Sequence, residues 1–379
     1  MHRSPLPRLL SHRLFHLSPS RNVSTSTPPS VIFSGIQPTG IPHLGNYYGA
    51  LRAWVDLQTT TPTSTSLIFS VVDLHAITIP QPPGALQIAR TEMLKALLAL
   101  GLCPDRCTIF EQGAVSAHSE LMWILSTITR VGWLERMTQW KAKTGQEGGK
   151  GVVPLGAGDK KGGEERERAG LLCYPVLQAA DILVHRATEV PVGEDQSQHL
   201  EFTRQCARAF NAQYGKEVFV EPQTILSPAK RVMSLRQPGK KMSKSDPDPR
   251  SRILLTDTPD VIAKRIRKSV TDSTTGITYD PELRPGLANL IEIYCHATRR
   301  SDYETTAEEF DKKGMTMSDV KQSVTEAVVE DLRPFRERWS DLEKAGETWL
   351  AEVRKKGNDK ARESAERTLR DVKDVVGLA

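Results

Sequence analysis

Cysteine is scarce in this chain, with five among 379 residues (Cys103, Cys107, Cys173, Cys206 and Cys295). Their scatter excludes a disulfide framework and agrees with a reducing compartment. Cys103 and Cys107 are spaced like half of a metal site, but no second Cys or His pair accompanies them, so both are expected to be buried structural thiols. Acidic residues are absent before Asp56, and before residue 30 the charged side chains are Arg3, Arg8, Arg13 and Arg21, with no Lys. The arginines are mixed with Leu9, Leu10, Leu14, Phe15 and Leu17, then with Ser18, Ser20, Ser24 and Ser26. That composition is the one of an organellar transit peptide, a disordered tail being the alternative. The apolar run there is short and broken by Arg and His, which excludes a secretory signal or a membrane span. A soluble organelle interior fits these features. The formal charge of +5 loses its force once those four arginines are set aside, since 5 − 4 leaves +1. Any surface for a polyanion is therefore local.

What is present is an alternation of apolar runs and helix-period segments. Val31-Ile32-Phe33-Ser34 reads as a buried strand, Gly35 to Gly45 as a glycine and proline loop, and Gly45 to Gln58 as a helix. A second run, Leu67 to Val72, ends at Asp73. Gly84 to Leu100 carries helix-period Leu, Ile and Met until Gly101 stops it, and Thr108 to Phe110 is a third strand. Such alternation predicts an α/β, Rossmann-like, doubly wound parallel sheet with ligands at the carboxyl ends of its strands. Between Thr144 and Gly163 the chain holds eight glycines and few large apolar side chains. That stretch cannot offset its ordering entropy by burial, so residues 144–169 are expected to be a flexible surface insertion. Helical periodicity returns at Leu171, and Glu189 to Val192 reads as a strand feeding a helix over Asp195 to Ala212. Beyond Pro249 helices dominate: Pro259 to Val270, Leu287 to Thr298, Ser318 to Trp339 with a break at Pro334, and a charged final helix around Lys360 to Val375. Three parts follow: a leader over 1–29, a catalytic domain over 30–250 and an all-helical C-terminal domain over 251–379.

The most specific chemical signal is Lys241-Met242-Ser243-Lys244-Ser245, preceded by Gly239-Lys240 and followed by Asp246-Pro247. Two lysines three residues apart in a loop bounded by Gly and Pro can both approach a polyphosphate, and the hydroxyls add hydrogen bonds. A bare Lys-x-x-Lys would more often be an exposed basic loop. Upstream, between the first strand and its helix, stands Pro38-Thr39-Gly40-Ile41-Pro42-His43-Leu44-Gly45-Asn46. There Gly45 lets a nucleotide approach the backbone, and His43 and Asn46 offer donors to phosphate near a helix N-terminus. Asp181 lies on an expected helix among Tyr174, Val176, Leu177, Ala179, Ala180, Ile182 and Leu183, an apolar setting in which an unpaired carboxylate is costly. A capping or surface role is the alternative for it. His75 taken alone would more often be a satisfied core histidine.

Together these motifs, in this order, resemble the class I aminoacyl-tRNA synthetases. Five longer runs are similar to the tryptophanyl-tRNA synthetases in particular: Phe33 to Gly40, Asp73 to Thr78, Glu135 to Lys141, Ala179 to Leu183 and Pro191 to Gln196. The resemblance spans about Val31 to the C-terminus. It implies activation of tryptophan by ATP to the adenylate with release of pyrophosphate, then transfer to tRNA(Trp), in the mitochondrial matrix. By the resemblance Gln37, Pro38, Thr39, His43, Gly45 and Asn46 contact ATP, as do Gly193, Glu194 and Asp195. Val232 lines the adenine pocket, and Lys241, Met242, Ser243, Lys244 and Ser245 close on the pyrophosphate with help from Lys141. Mg²⁺ is expected to be bound through the ATP phosphates and by no metal site of the protein. Asp181 is assigned to the indole N–H, because a donor-only group needs a fixed acceptor at the end of an aromatic-sized slot. Tyr174 and Gln196 would hold the ammonium, with His75 and Phe33 as pocket wall. Gln178 stands where bacterial relatives typically carry Met. A tyrosine-specific enzyme would need both donor and acceptor for a phenol, and the Gly193 to Gln196 run followed by His199 matches the tryptophan form. A catalytically dead relative would have lost phosphate-binding residues, and a nucleotidylyltransferase would not need the helical domain. The resemblance further implies a homodimer with tRNA reaching the helical domain, where Arg265, Arg267, Lys268, Arg333, Arg336 and Arg338 are candidate phosphate contacts.

Overall fold

The computed structural model describes residues 30–137, 168–193, 197–226 and 231–379. The expected leader, residues 144–167 of the expected insertion, Lys141, and the trio Glu194, Asp195 and Gln196 lie outside the described residues. Five strands, β1 (Val31–Ile36), β2 (Ser66–Val71), β3 (Cys107–Glu111), β4 (Glu189–Val192) and β5 (Gln223–Leu226), form one parallel sheet in the order β3-β2-β1-β4-β5. The expected doubly wound sheet is therefore present, and its order reverses between β1 and β4.

Strand periodicity explains the two cores. Ile32, Leu67, Phe69 and Ile109 point to one face, and Phe33, Ile68 and Phe110 to the other. Helix α1 runs as Leu44–Asn46, a π-helical turn Tyr47–Leu51 and then Arg52–Thr60. It packs on the first face, where Trp54 stacks on Phe69 with ring centroids 4.6 Å apart. After the single turn of α2 (Asp73–Ala76) comes α3 (Ala85–Leu100), which covers the same face and ends at Gly101, φ +104°. The second face is covered by α4 (Ala117–Ile128), the short α5 (Val131–Leu134), α6 (Ala169–Leu183) and α7 (Ser197–Tyr214).

The helices beyond residue 251 are α8 (Pro259–Arg267), α9 (Pro285–Thr298), α10 (Tyr303–Lys312), α11 (Met317–Asp331) and α12 (Arg333–Val376). Leu287, Ile291, Val324, Val328 and Phe335 extend the first core without interruption. A half-buried clasp joins this bundle to α1: Arg52 bonds the Asp331 carboxylate and the His296 carbonyl, and Tyr48 donates its hydroxyl to Asp331 at 3.0 Å. The expected break at Pro334 is the joint between α11 and α12, with Pro334 in the first turn of α12, where a missing N–H costs nothing. A sharper break falls at Gly346, φ +80°.

From there residues 347–376 turn back to the sheet. A Cβ on Gly357 would lie 1.8 Å from the Ile109 carbonyl oxygen, so only glycine permits this approach to the edge strand β3. The Asn358 side chain accepts the Glu111 N–H at 3.0 Å, and Ala361, Ala365, Leu369 and Val372 enter the second core. The charged final helix, expected with the C-terminal helical domain, thus seals an edge of the sheet. Cys107 is buried as expected, whereas Cys103 is exposed in the turn before β3.

Candidate active site

Where the sheet order reverses, β1 and β4 diverge beyond their single paired register at Ile32 and Glu189, and a crevice opens at their carboxyl ends. It holds a cavity of about 1340 Å³, larger than the roughly 300–1,000 Å³ of an ordinary ligand pocket and so roomy enough for two ligands. Its floor is Phe33 to Gln37, at the end of β1 and just after it, and Val190 to Gly193, at the end of β4 and just after it. One wall is the face of α6 that carries Tyr174, Gln178, Asp181 and Ile182, residues four, seven and eight positions apart. The opposite wall belongs to the C-terminal bundle: Pro285, Ala288, Asn289 and Glu292 of α9.

Asp181 sits at the deep end, 2% exposed. Its Oδ1 accepts from Gln112 Nε2 at 2.6 Å and from His118 Nδ1 at 2.7 Å, and its Oδ2 is 2.9 Å from His75 Nε2. Burial alone would raise its pKa, but the hydrogen bonds from His118 and His75 prevail and hold it at about 2. The carboxylate is thus a fixed anion that only accepts. A carboxylate offers about four lone-pair positions, and three are filled by protein donors. His118 and His185 stand edge to face 5.2 Å apart, Phe33 stacks on His185, and the His185 Nδ1 meets Ser364 Oγ of α12 at 3.1 Å. Burial lowers the His185 pKa well below its usual range, so the His185 ring is neutral. The Tyr174 hydroxyl lies 2.8 Å from His199 Nε2, and burial raises its pKa.

At the other end the loop after β1 meets the lysine loop. His43 and Asn46 cap α1 reciprocally: the Asn46 N–H donates to His43 Nδ1 and the His43 N–H to Asn46 Oδ1. Burial, then the nearby Lys244 and Lys241, depress the His43 pKa to about 3. Its ring is therefore neutral and carries its proton on Nε2. A Cβ on Gly45 would come within 2.9 Å of that ring, and Met242 packs on the same spot. Lys244 reaches across to donate to the carbonyls of Thr39 at 3.0 Å and of Gly40, φ +85°, at 2.7 Å. Burial lowers its pKa to about 8. The lysine loop starts on the returning arm of a hairpin whose turn is 235–239: Met242 N–H donates to the Val232 carbonyl, Ser234 N–H to the Lys240 carbonyl, and Met233 pairs with Lys241.

The family of class I tRNA synthetases for tryptophan and tyrosine matches residues 25–333. The chain is 44% identical over 354 residues to the mitochondrial tryptophan–tRNA ligase of Saccharomyces cerevisiae, covering 92% of this chain and 91% of the yeast protein. The chain belongs to the class I tryptophanyl-tRNA synthetases. The tryptophan–tRNA ligase of Caldanaerobacter subterraneus is 41% identical, with 92% and 98% of the two chains covered. Among solved structures, the synthetase of Mycoplasma pneumoniae superposes with a TM-score of 0.78 at 31% identity over 92% of this chain and 98% of that one. The Campylobacter jejuni synthetase, complexed with ADP and tryptophan, gives 0.71 at 30% identity over 92% and 100%.

In this synthetase the cavity gathers many of the expected residues: Phe33, Gln37, Gly45, Asn46, His75, Tyr174, Asp181, Gly193 and Lys241. Others stand behind it. Val232 and Met242 are core side chains, 2% and 1% exposed, and it is Arg231 and Met233 that face the cavity. Their part is to anchor the hairpin that carries the lysines. Ser243 and Ser245 bond each other at 2.8 Å. Of the basic candidates for RNA, Arg265 is held by Asp257, Arg333 by Glu330, and Arg336 by the Val329 carbonyl, while Arg338 caps the C-terminus of α3 at the Ala99 carbonyl. Arg267 and Lys268 remain exposed. Sequence reasoning missed Gln112, His118 and Asn289. Gln112 follows the carboxyl end of β3, a position that the strand-end rule for ligands marks out. His118 and Asn289 carry no local signal.

Proposed function

We propose that this chain is a mitochondrial tryptophan–tRNA ligase that uses the β1/β4 crevice for both substrates. The observation that carries the reading is a buried, acceptor-only carboxylate, Asp181, at one end of a cavity whose other end lies beside two phosphate-type loops. Tryptophan enters with its indole toward Asp181, whose remaining lone pair on the His75 side accepts the indole N–H, between Phe33, Ile182 and Gln178. Tyr174, with Gln196, holds the ammonium. This orients the amino acid's carboxylate toward the α-phosphorus of ATP bound along Gln37, Gly45, Asn46 and Gly193.

The reaction is an in-line displacement in which a carboxylate oxygen attacks the α-phosphorus and pyrophosphate leaves, so positioning and positive charge are the chief requirements. Lys241 and Lys244 supply that charge, joined by Lys141. His43, being neutral, contributes an Nε2–H donor and no charge. Mg²⁺ enters as part of the ATP complex, through its phosphates. A ribose hydroxyl at the tRNA 3′ end then attacks the acyl carbonyl and AMP departs. The bundle beyond residue 251 meets the anticodon, and exposed apolar side chains on the catalytic side, Trp123 at 72% and Val131 at 58%, support a homodimer that covers them. Residues 1–29 direct the chain to the mitochondrial matrix. Among the described residues no helix is long and apolar enough to cross a membrane.

The test is ATP–pyrophosphate exchange by the full chain with each of the twenty amino acids, followed by aminoacylation of tRNA(Trp). Exchange dependent on tryptophan is expected. Exchange driven by tyrosine, or none with any amino acid, contradicts the reading.

A further inference from the structure

The helical wall of the cavity is attached to the lysine hairpin at one side chain. Asn289, 2% exposed on α9, accepts the Met233 N–H at 2.9 Å through Oδ1 and donates through Nδ2 to the Met233 carbonyl at 3.0 Å. This is the pairing that a neighbouring β-strand would offer, supplied by an amide side chain. Met233 pairs on its other edge with Lys241. One residue is thus held between the bundle and the first lysine of the phosphate loop, and both Asn289 and Met233 line the cavity.

The approach of α9 is itself built for this contact. Gly286, one turn before Asn289 on the same face, lies where a Cβ would come within 2.2 Å of the Val270 carbonyl oxygen. Val270 in turn donates its N–H to the Leu235 carbonyl at 2.9 Å, two residues along the hairpin from Met233. The helix therefore grips the strand 233–235 at two points, directly through Asn289 and through Val270 against Gly286. Arg284 braces the turn ahead of the helix, bonding Asp272 at 2.9 Å and the Gly276 carbonyl at 2.9 Å.

The geometry points to Asn289 as a positioning residue for ATP: it fixes the Met233 peptide, and through the Met233–Lys241 pair it sets the lysine loop over the nucleotide half of the cavity. It acts on the nucleotide half alone, since Asp181 is carried by α6 and its donors by the turn after β3, by α2 and by α4. The inference rests on the assignment of ATP to this end of the crevice.

Two substitutions test it in the full chain. Asn289→Asp keeps the shape and the acceptor but sets a carboxylate oxygen against the Met233 carbonyl, and Asn289→Ser withdraws both bonds. Either should raise the KM for ATP in pyrophosphate exchange roughly ten- to hundredfold, the scale of losing a buried pair of hydrogen bonds. The KM for tryptophan should change by less than about twofold, a split that general loosening of the fold would not give. A folded variant, judged by its urea midpoint, with unchanged ATP KM overturns the inference, as does an equal rise in both KM values. If Lys241→Ala and Lys244→Ala leave exchange unaltered, the ATP assignment itself fails, and that outcome is distinct from failure at Asn289 alone.

Discussion

Replacing Asp181 with Asn separates the recognition of indole from the support of the fold, because its partners dictate which way the new amide must turn. Gln112 cannot invert: its Oε1 accepts the Leu74 N–H at 3.1 Å, so its Nε2 must donate to residue 181. His118 Nδ1 converges on the same oxygen. In the Asp181→Asn variant the amide oxygen therefore takes the Oδ1 position and the NH₂ the Oδ2 position, facing His75 and the indole. His75 can adapt by moving its proton to Nδ1 and accepting at Nε2. The indole, being donor-only, cannot adapt. The variant should fold, yet tryptophan should lose a hydrogen bond to a charged acceptor worth about 1.5–3 kcal/mol. At about 1.4 kcal/mol per decade, kcat/KM for tryptophan should fall roughly ten- to hundredfold. Asp181→Ala differs in kind, because it strands three buried donors and should also cost about 3–5 kcal/mol of stability, the scale for removing one partner of a buried charged contact. The assay is pyrophosphate exchange with tryptophan and with its ring-N-methylated analogue, beside urea unfolding of both variants. Wild type should reject the methylated analogue strongly and Asp181→Asn much less. A folded Asp181→Asn variant that discriminates as well as wild type would refute the reasoning and assign the indole to another acceptor.

Further consequences concern charge and packing. Because the Lys244 pKa is lowered to about 8, its charge is present below that pH and lost above it, so kcat/KM for ATP should decline through about pH 8. With ATP bound, phosphate favours the charged form, and the decline in kcat should move to higher pH; a flat profile from pH 7 to 9 would remove Lys244 from the phosphate site. Asp331→Ala leaves the half-buried Arg52 and the buried Tyr48 without their anion and should lower unfolding free energy by about 1.5–3 kcal/mol, the scale of hydrogen bonds to a charged group, read from the urea midpoint. Gly357→Ala drives a methyl into the Ile109 carbonyl and should destabilise by at least the roughly 1–3 kcal/mol of overpacking, releasing residues 347–376 to proteolysis.

Much of the fold could be read from the sequence because strand and helix periods are local properties. The runs at Val31, Leu67 and Thr108 became β1 to β3, and Gly101 stopped α3 as its position suggested. The face of α6 was legible for the same reason, since residues 174, 178, 181 and 182 recur at helical spacing. What could not be read depends on distance along the chain. Gln112 and His118 reach Asp181 across 69 and 63 residues, and Asn289 reaches Met233 across 56. The contact of the final helix with the sheet was not read because charge dominates its composition, although Gly357, Ala361 and Ala365 form a stripe of small residues at four-residue spacing that marks a close packing face. The π-helical turn Tyr47–Leu51 lies where the clasp of Arg52 on Asp331 begins, a contact made across 279 residues.

The central claim is that one crevice holds tryptophan at Asp181 and ATP at the two loops. A crystal structure of the protein with tryptophan and a non-hydrolysable ATP analogue tests it most directly. The account expects the indole nitrogen within about 2.7–3.2 Å of Asp181 Oδ2, the phosphates between Asn46 and Lys241, and the amino acid's carboxylate facing the α-phosphorus. An indole nitrogen bonded elsewhere, or a nucleotide bound away from the β1/β4 crevice, would contradict it.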